Sequence, residues 1–339
     1  MPHQPSLFPP DEGDAPTRRA ASSDDAPLEE RRARLRAVAA ALPPGVRLGT
    51  SSWSFPGWHG LVYRSRNTAA GLARDGLREY VQHPLFSTVG VDRSYYARIP
   101  DDDFQRYAGQ LPPGFPCCCK APARVTSPVL PERGSRAANP GFLSADDLID
   151  SLLEPVARLF HDHAGPFILQ FPPILRRSGL APDVFLEGLD RLLESLPHEF
   201  QYGVELRDRG LLSDGYGRVL ARHRAGHVYN VWTAVPLPGE QAEQLPPESM
   251  PFVMVRWLLG PGATYEQQRE AFAPFDRIQA PDEGIRGQVV DLVARAVARA
   301  IPAYVLVNNK AEGSAPLTIE ALAARLARDA PRDQEPPRD

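Results

Sequence analysis

From Val46 onward, short apolar runs alternate with longer stretches of helical period, the pattern of βα units that build a parallel sheet. Eight runs read as strands: Val46–Thr50, Thr88–Asp92, Pro116–Lys120, Phe167–Phe171, Gly203–Arg207, Val228–Val231, Phe252–Trp257 and Ala303–Asn308. Helical patterns follow most of them, over Ala69–Gln82, Asp102–Gln110, Ala145–His161, Pro182–Leu196, Ser213–His223, Gln288–Ala300 and Thr318–Ala327. Acid or proline at helix starts, as at Asp102 and Pro182, fits the chemistry of a helix N-terminus. A further helix is expected over Leu28–Leu42, where charged residues give way to Leu35, Val38 and Leu42, packing beneath or beside the strands. The proline-rich stretch Thr233–Pro251 lacks a helical period, so the sixth helix is either replaced by a loop or the fold is irregular there.

Eight such units predict an α/β fold, a single (β/α)8 TIM-like barrel over residues 46–328, irregular between strands six and seven. An N-terminal helix occupies 27–45. Residues 1–26 and 329–339, rich in proline and charge, are expected to be disordered tails.

Composition narrows the function classes. The net charge of −4 gives no general basic field, so non-specific grip on nucleic acid or an anionic membrane is not favoured. Met1–Ala20 has no apolar core, so no signal peptide is expected, and no run approaches the length of a membrane span. Cys117, Cys118 and Cys119 are consecutive, which suits neither a disulfide framework nor a zinc site. They read as small residues of a buried strand in a reduced, cytoplasmic protein.

In a barrel of this kind the site lies at the carboxyl ends of the strands. All eight endings here are polar. They supply Ser51 and Trp53, Asp92 with Tyr95 and Tyr96, Lys120, Gln170, Glu205 with Arg207, Asn230 with Trp232, Arg256 with Trp257, and Asn308, Asn309 and Lys310. Lys120 and Lys310 are the only lysines in a chain that otherwise writes its positive charge as arginine. An ammonium that can lose its proton differs from a permanently charged guanidinium, and both lysines fall at strand ends. Trp53, Trp58, Trp232 and Trp257 all follow strands one, six and seven, and read either as aromatic pocket walls or as packing at the mouth. Asp92 and Glu205 are candidates for acid and base, or for holding a divalent cation through water; alternatively each pairs with a neighbouring arginine.

At these same residues the chain resembles the YecE-like family, the domain of unknown function 72. The resemblance rests on Gly49-Thr50-Ser51-Ser52-Trp53-Ser54-Phe55-Pro56-Gly57-Trp58, Phe86–Pro100 with Ser94-Tyr95-Tyr96, Lys120-Ala121-Pro122, Leu169-Gln170-Phe171-Pro172-Pro173, Val204-Glu205-Leu206-Arg207 and Asn308-Asn309-Lys310-Ala311-Glu312-Gly313. It implies a TIM barrel and leaves the activity open. The family's usual Glu-x-Asn on strand two is replaced by Gly90 and Asp92, and its Arg-x-His-Gly on strand seven by Arg256-Trp257-Leu258-Leu259.

No Gly-x-Ser-x-Gly elbow, Rossmann fingerprint or P-loop occurs, so no nucleotide cofactor motif is present, and the histidines are too scattered for a transition-metal cluster. The glycine-bearing loops 260–264 and 312–315 are weak candidates for phosphate binding. The residues favour an enzyme of hydrolase, lyase or isomerase type acting on a small phosphorylated or carboxylated molecule. Glu205, Asp92 and Lys120 are its catalytic candidates, and the remaining strand-end residues bind substrate. The alternative is an accessory protein that holds a nucleotide or single-stranded nucleic acid by aromatic stacking and basic residues.

Overall fold

Alternation of side chains along parallel strands separates two apolar layers in this molecule, and that separation places the site. The computed structural model describes residues 26–129 and 137–329; the two expected tails lie outside these residues except for their innermost positions, 26 and 329. The strands are β1 (Val46–Thr50), β2 (Thr88–Val91), β3 (Cys117–Cys119), β4 (Phe167–Phe171), β5 (Tyr202–Leu206), β6 (Gly226–Val231), β7 (Val253–Trp257) and β8 (Ala303–Val307). They form one parallel sheet in the order β3-β2-β1-β8-β7-β6-β5-β4. The remaining seam, between β3 and β4, is closed by Ala121 N to Ile168 O at 2.9 Å and Gly165 N to Cys117 O at 3.0 Å. The result is a nearly closed (β/α)8 barrel, as the sequence pattern predicts.

Residues such as Leu48, Val89, Cys117, Cys119, Leu169, Val204, Val255 and Val305 point outward into the core shared with the helices. Their neighbours Cys118, Ile168, Val228, Phe252, Met254 and Leu306 form a separate apolar cluster inside the barrel. Glycine makes this interior possible. A methyl group at Gly226 would stand 2.8 Å from Phe252 Cζ, and one at Gly203 would stand 2.9 Å from Val228 Cγ2. Both positions are bare so that the Phe252 ring fills the floor. Two residues further along the same inward faces come Lys120, Gln170, Glu205, Asn230 and Arg256, all buried.

Three differences from the expected elements have physical reasons. The sixth helix exists, as Pro238–Gln244, but polar bonds rather than an apolar stripe dock it. Its Gln241 donates from Nε2 to Asn230 O at 2.8 Å and to Pro236 O at 2.6 Å, and its Oε1 meets His227 Nε2 at 3.0 Å. Helix Glu283–Val297 starts five residues before the expected Gln288. Asp282 caps it by accepting from Ile285 N at 2.9 Å, and Gly284 and Gly287 mask its period in the sequence. A helix over Tyr265–Phe272 follows the Gly260–Thr264 loop, capped by the Thr264 hydroxyl.

The N-terminal helix Ala26–Ala40 lies beside the last helix, Ala315–Asp329, through a bidentate contact of Arg31 with Glu320 at 2.6 Å. Among the described residues no helix is long and apolar enough to cross a membrane.

Candidate active site

Glu205 is the fully buried centre of the mouth. Its Oε1 lies 2.9 Å from Nε of Arg207 and its Oε2 lies 2.5 Å from Nη1 of Arg256. Arg256 then reaches across the barrel and donates from Nη2 to Asp92 Oδ1 at 3.1 Å and Oδ2 at 3.3 Å. One guanidinium thus joins the two carboxylates, in a fork geometry that lysine could not supply. Burial raises the Glu205 carboxyl, but the neighbouring Arg256, Arg207 and Lys120 outweigh it and hold the group down at about 2. Glu205 is therefore an anion at any ordinary pH, with both oxygens engaged by guanidinium groups.

The lysines are placed differently. Lys120, at the end of β3, is buried, and its Nζ sits 3.5 Å above the ring of Tyr95. Among the described residues no carboxylate lies within ion-pair distance of it, because Asp92 and Glu205 are bonded to arginines instead. Burial pushes its ammonium down to about 7, with Arg207 and Arg256 adding to the fall and Asp92 and Glu205 opposing it. Lys310 lies 4.1 Å from the Tyr265 ring centre and 3.2 Å from Asn308 Oδ1. Burial lowers it too, to about 8.

Local sequence fixes these positions. Asp92 directly follows β2 and opens the four-residue helix Arg93–Tyr96, which lifts Tyr95 and Tyr96 over the mouth with their rings edge to face at 5.1 Å. Ser94 Oγ lies 2.9 Å from Val91 O and 2.6 Å from Lys120 O, so one hydroxyl fastens this turn to the end of β3. Burial, then Asp92 and Tyr265, raise the Tyr96 hydroxyl above its ordinary value. The guanidinium of Arg207 lies 3.8 Å over the ring of Trp232, a cation–π contact on the rim.

Not every candidate lines the mouth. Trp53 and Trp257 are core residues, as is Trp58. Trp53 donates to Leu72 O at 2.9 Å and packs against Tyr107, and Trp58 donates to Asn309 Oδ1 at 3.0 Å. Trp257 belongs to the outer core because it follows inward-facing Arg256, and adjacent strand residues point to opposite faces. Of the four tryptophans, only Trp232 is partly open to solvent. Asn309 is a structural tie, since the same Oδ1 also accepts from Ala315 N at 2.9 Å.

The two loops considered for phosphate have spent several backbone donors. Gly313 N is bonded to Asn309 O at 2.8 Å, Gly260 N to Gln268 Oε1 at 3.1 Å, and Ala263 N to Gly260 O at 3.2 Å. A divalent cation between Asp92 and Glu205 does not fit this arrangement, because Arg256 already stands there. Among the described residues no group of three His, Cys, Asp or Glu side chains is placed to hold a metal.

Among the mouth residues, Ser51 Oγ, Gln170 Oε1, Asn230 Oδ1 and Arg256 Nε are buried without a protein hydrogen-bond partner. Buried polar atoms rarely stay unpaired, so these call for ordered water or ligand atoms. One contributor escaped the sequence reading, and a second appears there in a motif and a loop without a side-chain role. Tyr265 comes from the helix after the β7 loop, eight residues beyond the end of that strand. Glu312 is buried and accepts from Asp282 N at 2.6 Å and Arg286 Nη2 at 2.8 Å, locking the β8 loop to the segment before helix Glu283–Val297. The glycine at 90 also has a reason, since a methyl group there would stand 2.8 Å from Ser51 O.

Fold and strand-end site together define a TIM-barrel protein with a buried, charged mouth. The chain belongs to the DUF72 family, proteins of unknown function, whose family model matches residues 47–339. It is 27% identical over 196 residues to the UPF0759 protein YecE of Escherichia coli K12, and 26% identical to that of Escherichia coli O157:H7. In both cases the match covers 54% of this chain and 61% of the relative, less than two thirds of its length. Among solved structures, a DUF72 family protein from Thermotoga maritima is similar in fold, with a TM-score of 0.59 at 19% identity, covering 84% of this chain and 98% of the other. A second, from Enterococcus faecalis, has a TM-score of 0.55 at 15% identity, covering 84% and 97%.

Proposed function

We propose that the barrel mouth binds a small anionic molecule, phosphorylated or carboxylated, and transforms it by proton-transfer chemistry. The observation that carries this reading is the charge balance of the mouth. Lys120, Arg207, Arg256 and Lys310 converge there on two central carboxylates, Asp92 and Glu205, with Arg269 and Glu266 as further charges of opposite sign near Lys310. Both central carboxylates are bonded to the arginines, so the two buried amines have no anion of their own among the described residues. Two buried amines held below their usual range are what a cationic pocket looks like before an anion enters it.

The division of labour follows from the same contacts. Glu205 holds Arg207 and Arg256 in place rather than exchanging protons, since it stays ionised far below neutral pH. Lys120 is the group whose protonation changes at neutral pH, the condition under which proton transfer is most effective. That pairing of a fixed cationic clamp with a near-neutral amine suits isomerase or lyase chemistry. The alternative, stacking of single-stranded nucleic acid, would need an open aromatic platform. Here three of the four tryptophans are buried and the fourth lies against Arg207.

The test is a panel of phosphorylated and carboxylated metabolites, each beside its uncharged analogue, read by thermal shift and by NMR for turnover. The anions should stabilise the wild type, Lys310→Met should remove most of that stabilisation, and Lys120→Met should bind but not turn over. Equal shifts from the uncharged analogues, or unimpaired turnover by Lys120→Met, would overturn the proposal.

A further inference from the structure

Of the two lysines, only one is placed to react as an amine. Lys310 keeps a hydrogen-bond acceptor, Asn308 Oδ1 at 3.2 Å, that favours its ammonium form. Lys120 Nζ has no such acceptor among the described residues: it faces the Tyr95 ring at 3.5 Å, and its charged surroundings are Asp92, Glu205, Arg207 and Arg256. The two acids there are bonded to the two arginines, so the nearby cations work against a charge on Nζ. The backbone of Lys120 is held from both sides, by its own N–H to Val91 O at 3.2 Å and by Ser94 at its carbonyl, which fixes where the side chain emerges. This chain uses arginine at 36 of its 38 basic positions, and arginine at 120 would be a permanent cation with no lone pair to offer.

We propose that Lys120 is a nucleophile that forms an imine with the substrate, so the small anionic molecule bound at the mouth carries an aldehyde or ketone group. This rests on the anion-binding reading above and names the substrate class more narrowly. The Nζ lone pair adds to the carbonyl carbon, giving a carbinolamine. Its hydroxyl then leaves as water. In balance, one C=O and two N–H bonds are exchanged for one C=N bond and one molecule of water, and a proton from solvent converts the imine to an iminium ion. No oxidant or further reactant is needed, and hydrolysis by the reverse path releases the product. The iminium draws electrons from the adjacent carbon, which is the step that isomerase and lyase reactions of carbonyl compounds require. Arg207, Arg256 and Lys310 are left to hold the anionic end.

The experiment uses the full chain and glyoxylate, a small anionic aldehyde, with cyanoborohydride to trap any imine, followed by peptide mapping. Because the chain has two lysines, every adduct is assignable. Lys120 should be labelled several-fold faster than Lys310, with a rate that rises to half its maximum near pH 7 and falls when inorganic phosphate is added. Lys120→Arg should leave only background. An adduct confined to Lys310 or the chain's amino terminus would overturn the imine while leaving anion binding standing, provided phosphate still binds the wild type. Rapid labelling of Lys120 that phosphate fails to slow would instead overturn the anion site on which the inference rests. The decisive labelling is read on the wild type, so a misfolded variant cannot decide the outcome.

Discussion

Arg256 holds Glu205 at 2.5 Å through Nη1 while its Nη2 rests on Asp92, 164 positions earlier in the chain. Both members of the Arg256–Glu205 pair are essentially inaccessible to solvent. Removing one partner of such a pair leaves a buried charge without its counterion, which costs about 3–5 kcal/mol. Asp92 still faces Arg256, so the lower end applies here.

Glu205→Gln should accordingly destabilise the protein by about 3 kcal/mol at neutral pH, as measured by urea denaturation. The carboxyl ionises more readily in the folded protein than its ordinary value of 4.5, so its contribution is complete above that value and fades as pH falls toward about 2. The gap between wild type and Glu205→Gln should shrink over that window. A gap that stays constant down to pH 2 would show that the carboxylate charge is not what stabilises.

Lys120→Met should behave in the opposite way and stabilise the protein. The folded-state value of about 7 lies below the ordinary 10.5, so the unfolded chain holds this proton more tightly. The penalty is complete below pH 7 and disappears as pH rises toward 10.5. Chemical denaturation at a series of pH values should therefore show a gain for Lys120→Met that is largest at or below pH 7 and fades in alkali. A loss of stability at pH 7 would contradict the electrostatic account of this residue.

The tryptophans should divide by position. Trp257→Ala removes a fully buried ring from the outer core and should cost about 3–5 kcal/mol with no specific effect on the mouth. Trp232→Ala removes the surface on which Arg207 rests, and should cost about 0.5–2 kcal/mol or less while weakening anion affinity. Thermal unfolding together with a phosphate titration of both variants separates the two effects. Equal stability losses would show that Trp232 is a core residue as well.

Much of the barrel was legible because parallel strands buried on both faces write near-continuous apolar runs. Val46–Thr50 and Phe167–Phe171 have the bounds the pattern predicts. The helix Pro238–Gln244 was not legible, since Gln241 docks it through side-chain amide bonds that leave no hydrophobic period. At the site, strand endings showed which residues stand at the mouth but not which way each points. Trp257 is the clearest case: once Arg256 faces inward, alternation turns its neighbour outward. Tyr265 lay beyond reach for another reason, because it arrives over Lys310 from a helix that the strand pattern does not register. The pairing of Glu205 with two arginines was open in the sequence, where acid–base chemistry and ion pairing wrote the same residues.

Calorimetric titration with inorganic phosphate near pH 7.5, repeated in two buffers of different ionisation enthalpy, tests the central claim most directly. The charge balance of the mouth predicts saturable binding with net proton uptake in the wild type, because an arriving anion raises the buried amines toward their ordinary range. Lys120→Met should lose most of that uptake, and Lys120→Met with Lys310→Met should lose the binding. Absence of saturable binding, or binding without proton uptake that the double variant retains in full, would contradict the claim.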